Sequence, residues 1–270
     1  MASAQGIDLL QLFAAALGGG LTVKIVDIAY QEVRRRLDTK SSATRFVDEH
    51  LDPLLKATDE LVAKLTSLAN EDFRPLSDLP TADATKNSDL GGLIYLFGRC
   101  WARIEILRQE GLSVAIARDP RGRKLQSFFA CLESGRIRIV DRISQKAVGE
   151  LLTMPTPNHL RTLGYVEFVR AYERDEEFRR WFSPLVLILT GLQHTSNRQR
   201  LLEYGVVLHA LVDTLDDDHV VTGKRPSYPA KLSEKTRKDL RYRVFKVYLP
   251  FIADREKYLE GSRKRGGDPS

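Results

Sequence analysis

Residues 47–68 read VDEHLDPLLKATDELVAKLTSL. Within them Val47, Leu51, Leu54, Thr58, Leu61, Leu65 and Leu68 follow alternating steps of four and three. That spacing keeps one stripe of a helix apolar over three heptads. Pro53 falls inside the stripe, where it either opens the helix or kinks it. Two packings satisfy such a seam. It can face the core of this chain's own bundle, or pair with a second copy in a coiled coil. The first is the favoured expectation; self-association through 47–68 is the second.

The same helical period continues beyond the seam. In LGGLIYLFGRCWARIEILRQEG, Leu93, Phe97, Trp101, Ile104 and Leu107 share a stripe, with Ser88 or Asp89 placed to cap it. Then comes RDPRGRKLQSFFACLESG, with Asp119 as cap, Pro120 in the first turn and Gly135 as terminator. RIRIVDRISQKAVGELL reads as the next helix, and MPTPN breaks the chain after it. Further helices are expected in TLGYVEFVRAYERDEEFRRWF, in SPLVLILTGL, and in NRQRLLEYGVVLHALVDTL with Asn197 as cap. KRPSYPAKLSEKTRKDLRYRVFKVYL is a Pro-punctuated loop entering a basic amphipathic helix. Alternating β-branched runs bounded by tight turns are almost absent, so the fold class is all-α, a helical bundle of about nine helices.

Ahead of the bundle lies LLQLFAAALGGGLTVKIVDIAYQEVRRR, residues 9–36. A helix over 9–23 spans ~22 Å, short of the ~30 Å hydrocarbon core, and extending it to Tyr30 reaches ~33 Å. The extension takes in Lys24 and Asp27, and a charge at mid-bilayer costs ~2.5–3.5 kcal/mol. These two sit near the end, three apart, where they can pair and Lys24 can snorkel. No Lys or Arg precedes the segment, whereas Arg34, Arg35 and Arg36 follow it. The positive-inside rule then puts the N-terminus outside and the rest in the cytoplasm. The expectation is a single-pass anchor over residues 7–29, edged by Lys24 and Arg34 to Arg36; a wholly cytoplasmic protein is the alternative. The chain divides as anchor and basic flank 1–36, heptad helix 37–73, linker 74–89, helical cytoplasmic domain 90–260 and tail 261–270. This layout resembles that of the many bacterial proteins with one N-terminal membrane helix and a helical cytoplasmic domain.

The 270 residues are 43% hydrophobic and 29% charged, enough to bury a core without staples. Two cysteines, Cys100 and Cys131, both in apolar helical contexts, point to reduced thiols and not to a disulfide framework. The net charge of +6 is concentrated between Arg99 and Lys146, which hold eleven Lys/Arg against five Asp/Glu. Arg118, Arg121, Arg123 and Lys124 gather at a helix start, a place suited to a phosphate, and Arg138 and Arg142 share a side of the next helix. They are the candidate anion-binding residues. Nucleic acid is the less favoured partner, since aromatics do not interleave with these arginines.

HALVDTLDDDH supplies the metal candidates. His209 and Asp213 stand four apart on one helix face, with Asp217 just beyond. No HExxH, GxSxG, P-loop or GxGxxG motif accompanies them. The expected function is therefore non-catalytic binding or scaffolding at the membrane, with the lipid bilayer as partner and no cofactor. A soluble phosphate or nucleic-acid binder using residues 99–146 and a metal-dependent hydrolase using His209 and Asp213 are the alternatives.

Overall fold

The computed structural model describes residues 21–76, 85–110, 116–157 and 159–260, with the backbone alone described over 21–43. Among the described residues the chain is 70% helical, with nine helices and little strand. The helices are α1 (Leu21–Asn70), α2 (Ser88–Glu110), α3 (Pro120–Leu132), α4 (Arg142–Leu151), α5 (Tyr165–Arg174), α6 (Glu176–Thr190), α7 (Thr195–Leu215), α8 (Glu234–Asp239) and α9 (Glu256–Leu259). All-α is the fold class.

The heptad seam decides where the core lies. Val47, Leu51, Leu54, Leu61, Leu65 and Leu68 all belong to the hydrophobic core cluster, and Thr58 is buried among them. α1 packs along α2 and α7, so the stripe is covered from within the chain. Self-association through those side chains would require opening that core. Pro53 lies inside α1 without ending it.

α2 sits at the centre and touches α1, α4, α5 and α6. It is buried on more than one face, including Leu93, Phe97, Cys100, Trp101 and Ile104, as a helix surrounded by others must be. α4 reaches it closely at Gly149, where a Cβ would stand 3.0 Å from the Trp101 carbonyl oxygen. α7 is the second central helix, buried continuously from Tyr204 to Val212 and packed on α1 and α3. Both thiols are enclosed. Cys100 Sγ lies 3.8 Å from Thr58 Oγ1, and burial lifts the Cys100 and Cys131 thiols to about 11 and about 12.

Local chemistry sets the helix starts. The Asp119 and Asp141 carboxylates accept backbone N–H groups at the heads of α3 and α4, with Pro120 in the first turn of α3. Two caps fall elsewhere than expected. Asn87, not Ser88 or Asp89, caps α2 by accepting from the Asp89 and Leu90 amides, each at 2.9 Å. α7 starts before Asn197, whose amide donates instead to the Gly191 carbonyl at 2.9 Å.

Two further differences concern the middle of the chain. The helix expected from RIRIVD onward begins only at Arg142; Ile137, Ile139 and Val140 are buried in the turn before it. After α4, the proline-broken stretch forms a small antiparallel hairpin, β1 (Thr153–Pro155) with β2 (Leu160–Thr162). Its second strand is held by Glu110, whose carboxylate accepts the Leu160 amide at 2.7 Å.

At the other end, α8 runs into a π-helical turn, Leu240–Phe245, in which the Lys246 amide reaches the Arg241 carbonyl at 3.3 Å. Among the described residues no helix is long and apolar enough to cross a membrane. The apolar half of the expected anchor, residues 7–20, lies outside the described residues, as does the tail 261–270. Lys24 and Arg34 to Arg36 fall on the backbone of α1.

Candidate functional site

His209 and Asp213 leave the same face of α7, and the chain folds back twice to enclose them. The first return is the loop after α7. Asp216 closes α7, and its carboxylate accepts the amides of Val220, Val221 and Thr222 at 2.8, 3.0 and 2.8 Å and the Thr222 hydroxyl at 2.7 Å. Burial pushes that carboxyl up, but these four donors outweigh it and hold it below the usual carboxylate range. The tight loop leaves His219 at φ 53, the left-handed region that few side chains adopt. Its ring then stands with Nε2 3.5 Å from Asp213 Oδ1 and Nδ1 3.2 Å from Thr222 Oγ1.

The second return is α9. It delivers Lys257, with Nζ 2.8 Å from Asp213 Oδ2, and Tyr258, whose hydroxyl donates to the same oxygen at 2.7 Å. The Tyr258 ring stacks on Phe245 and meets His209 edge-on. Between the two returns, Arg225 grips Asp59 of α1 with two bonds of 2.7 Å, pinning the loop to the bundle.

The electrostatics follow from this geometry. Burial pulls the His209 imidazole below its ordinary value, against the attraction of Asp213, which favours the neutral ring. For Asp213, burial raises the carboxyl, but hydrogen bonds from Lys257 and Tyr258 more than offset it and keep the group ionised. Tyr258 is driven up by burial and by its own bond to Asp213. The cleft has a volume of about 280 Å³, and Lys224 and Ser227 complete its rim. Asp213 Oδ2 already has two strong donors and the His219 ring faces Asp213 and Thr222, so the groups left to meet a ligand are the remaining N–H bonds of Lys257 and Lys224.

The metal candidates divide. The structure brings His209 and Asp213 together and adds His219; Asp217 is exposed, its carboxylate turned to the Asp218 amide at 3.1 Å. Among the described residues no group of three or more His, Cys, Asp and Glu is arranged to hold a metal ion. Lys257 and Tyr258 both occupy Asp213 Oδ2.

The anion candidates of the 99–146 region are largely engaged within the chain. Asp119 already takes the amides at the head of α3, so that N-terminus is not open to a phosphate. Arg121 pairs with Asp48 and Asp119 at 2.8 and 3.3 Å. Arg123 donates to the Ala117 carbonyl, and Arg142 pairs with Glu133. Arg138 lies in the turn before α4, not on it, and its carbonyl accepts from Arg200. Arg118 and Lys124 carry no ion pair among the described residues, and the two do not converge with the others on any cleft described.

Sequence reasoning missed Lys257, Tyr258, Arg225 and Asp59. Arg225 and Asp59 stand 166 positions apart, and Tyr258 and Asp213 stand 45 apart; no local spacing signals either pair. No family model matches the chain, and no curated protein or solved structure matches it.

Proposed function

We propose that this chain is a membrane-tethered helical protein whose role is binding, not catalysis, and that it holds an anionic group of a small ligand in the His209–Lys257 cleft. The observation behind the binding role is the double occupation of Asp213 Oδ2. It accepts from both Lys257 and Tyr258, so that oxygen is spent on positioning donors and is not open to a proton or a metal ion. The tether rests on sequence alone: an apolar run followed by Arg34, Arg35 and Arg36.

Two measurements test the two halves. Calorimetry of the full chain in detergent, titrated with inorganic phosphate and with acetate, is expected to show binding that Lys257→Met and Lys224→Met weaken. Phosphate and acetate both failing to bind would reject the cleft. Carbonate-washed membranes should retain the full chain; its appearance in the wash would reject the tether.

A further inference from the structure

Residues 234–251 carry two faces of opposite character. Thr236, Leu240, Val244, Phe245 and Leu249 are buried against the bundle. Lys235, Lys238, Tyr242, Arg243, Lys246 and Val247 are exposed, at the three- and four-residue steps of one outward side. The π-helical turn Leu240–Phe245 shapes this division. Continued α periodicity from Leu240 and Val244 would turn Val247 or Tyr248 inward. The wider turn passes that place to Leu249 and leaves Val247 63% exposed, beside Tyr242 at 58%. Phe251, 37% exposed, follows in the chain and rests edge-on against Phe128.

The charge on this face has one sign in excess. Glu234 and Asp239 are its acids, and they pair with Lys238 at 2.8 Å and Arg243 at 3.2 Å. Lys235 and Lys246 have no ion pair among the described residues. Cations set level with exposed aromatic and aliphatic side chains suit a boundary between anionic headgroups and acyl chains. An aliphatic Val247 at the centre has no function on a nucleic-acid backbone.

We propose that the outward face of residues 234–251 lies against an anionic bilayer surface. Lys235, Lys238, Arg243 and Lys246 meet lipid phosphate and carboxylate groups, and Tyr242, Val247 and Phe251 enter the headgroup layer. The partner is the bilayer of the tether reading, reached through a different part of the chain and without dependence on the N-terminal segment.

The test uses the full chain with vesicles of phosphatidylcholine alone or with phosphatidylserine added. Lysines are acylated with an amine-reactive reagent and quantified by mass spectrometry, with exposed Lys56 of α1 as reference. Lys235 and Lys246 should be protected several-fold on the anionic vesicles, and high salt should abolish the protection. In a Lys235→Glu/Lys246→Glu variant, checked for folding by circular dichroism, Lys238 should lose its protection as well. Equal acylation on both vesicles, protection that ignores salt, or stronger protection by duplex DNA than by anionic vesicles would overturn the proposal. A chain that leaves neutral vesicles but is recruited by anionic ones at low salt would defeat the tether and still support this surface.

Discussion

The Trp101 indole donates to the Tyr204 hydroxyl at 2.8 Å, joining the two central helices through a bond sealed from water. Both rings also pack on Phe97. Tyr204→Phe would leave the indole N–H without an acceptor, and an orphaned buried donor costs about 1–3 kcal/mol. Trp101→Phe should cost more, because it also removes ring volume. The double variant should lose less than the two single losses added together, since neither polar group then remains unpaired. Urea unfolding of the four proteins measures the cycle, and strict additivity would show that the bond carries no coupling.

Gly205, one residue along α7, makes room for another ring. A Cβ there would stand 2.2 Å from the Tyr228 hydroxyl, which donates to the Leu202 carbonyl at 3.2 Å. Gly205→Ala should destabilise the fold by about 1–3 kcal/mol through overpacking. Adding Tyr228→Phe removes the clashing oxygen and should recover part of that loss. A melting curve for Gly205→Ala that superimposes on the parent would contradict the contact.

Glu203 predicts a falling stability with rising pH. Burial first, then the neighbouring Asp239 carboxylate, raises its carboxyl to about 7, despite a hydrogen bond from Thr236 and nearby Arg200 and Lys235. Between the unfolded value near 4.5 and about 7 the native chain holds the extra proton, so this group's contribution declines across that window. Each unit of separation is worth about 1.4 kcal/mol. Glu203→Gln should flatten the decline and be more stable than the parent above pH 7. Denaturant midpoints taken across the window settle it, and an unchanged slope in the variant would refute the assignment.

His209 carries the opposite sign. Its folded value is lowered, so below about 6.5 the unfolded chain binds more protons and stability is lost as pH falls. Lys257 contributes to that lowering by repulsion and also occupies Asp213. Lys257→Met should therefore raise the His209 value, read directly by NMR titration of the ring. It should also leave Tyr258 as the one strong donor on Asp213 Oδ2, so that Zn²⁺ raises the melting temperature of the variant more than that of the parent. An equal shift in both proteins would mean that the ammonium does not guard the carboxylate.

The helices were legible because each is written in a local code. The 47–68 seam, the stripe from Leu93 to Leu107 and the Asp119-Pro120 start all rest on neighbours a few residues apart. What failed to show was decided at a distance or by competition. Asn87 won the cap of α2 over Ser88 and Asp89, all three being suitable residues. The three-residue strands of the hairpin are too short to display an alternation. At the site, the four-residue spacing of His209 and Asp213 gave half of the cluster. A fold-back of Asp217 and His219 over the pair was the expectation; the Asp216-centred loop brings His219 there and leaves Asp217 exposed.

The enclosure of the two thiols gives the protein an internal clock. An alkylating reagent attacks the thiolate, and with values of about 11 and about 12 inside closed packing neither Cys100 nor Cys131 offers one while the chain is folded. Labelling therefore counts openings. Cys100 faces Thr58 where α2 meets α1, and Cys131 lies on α3, which packs against α7. The two sulfurs time different seams, and the ratio of their labelling rates tells which half of the bundle parts first.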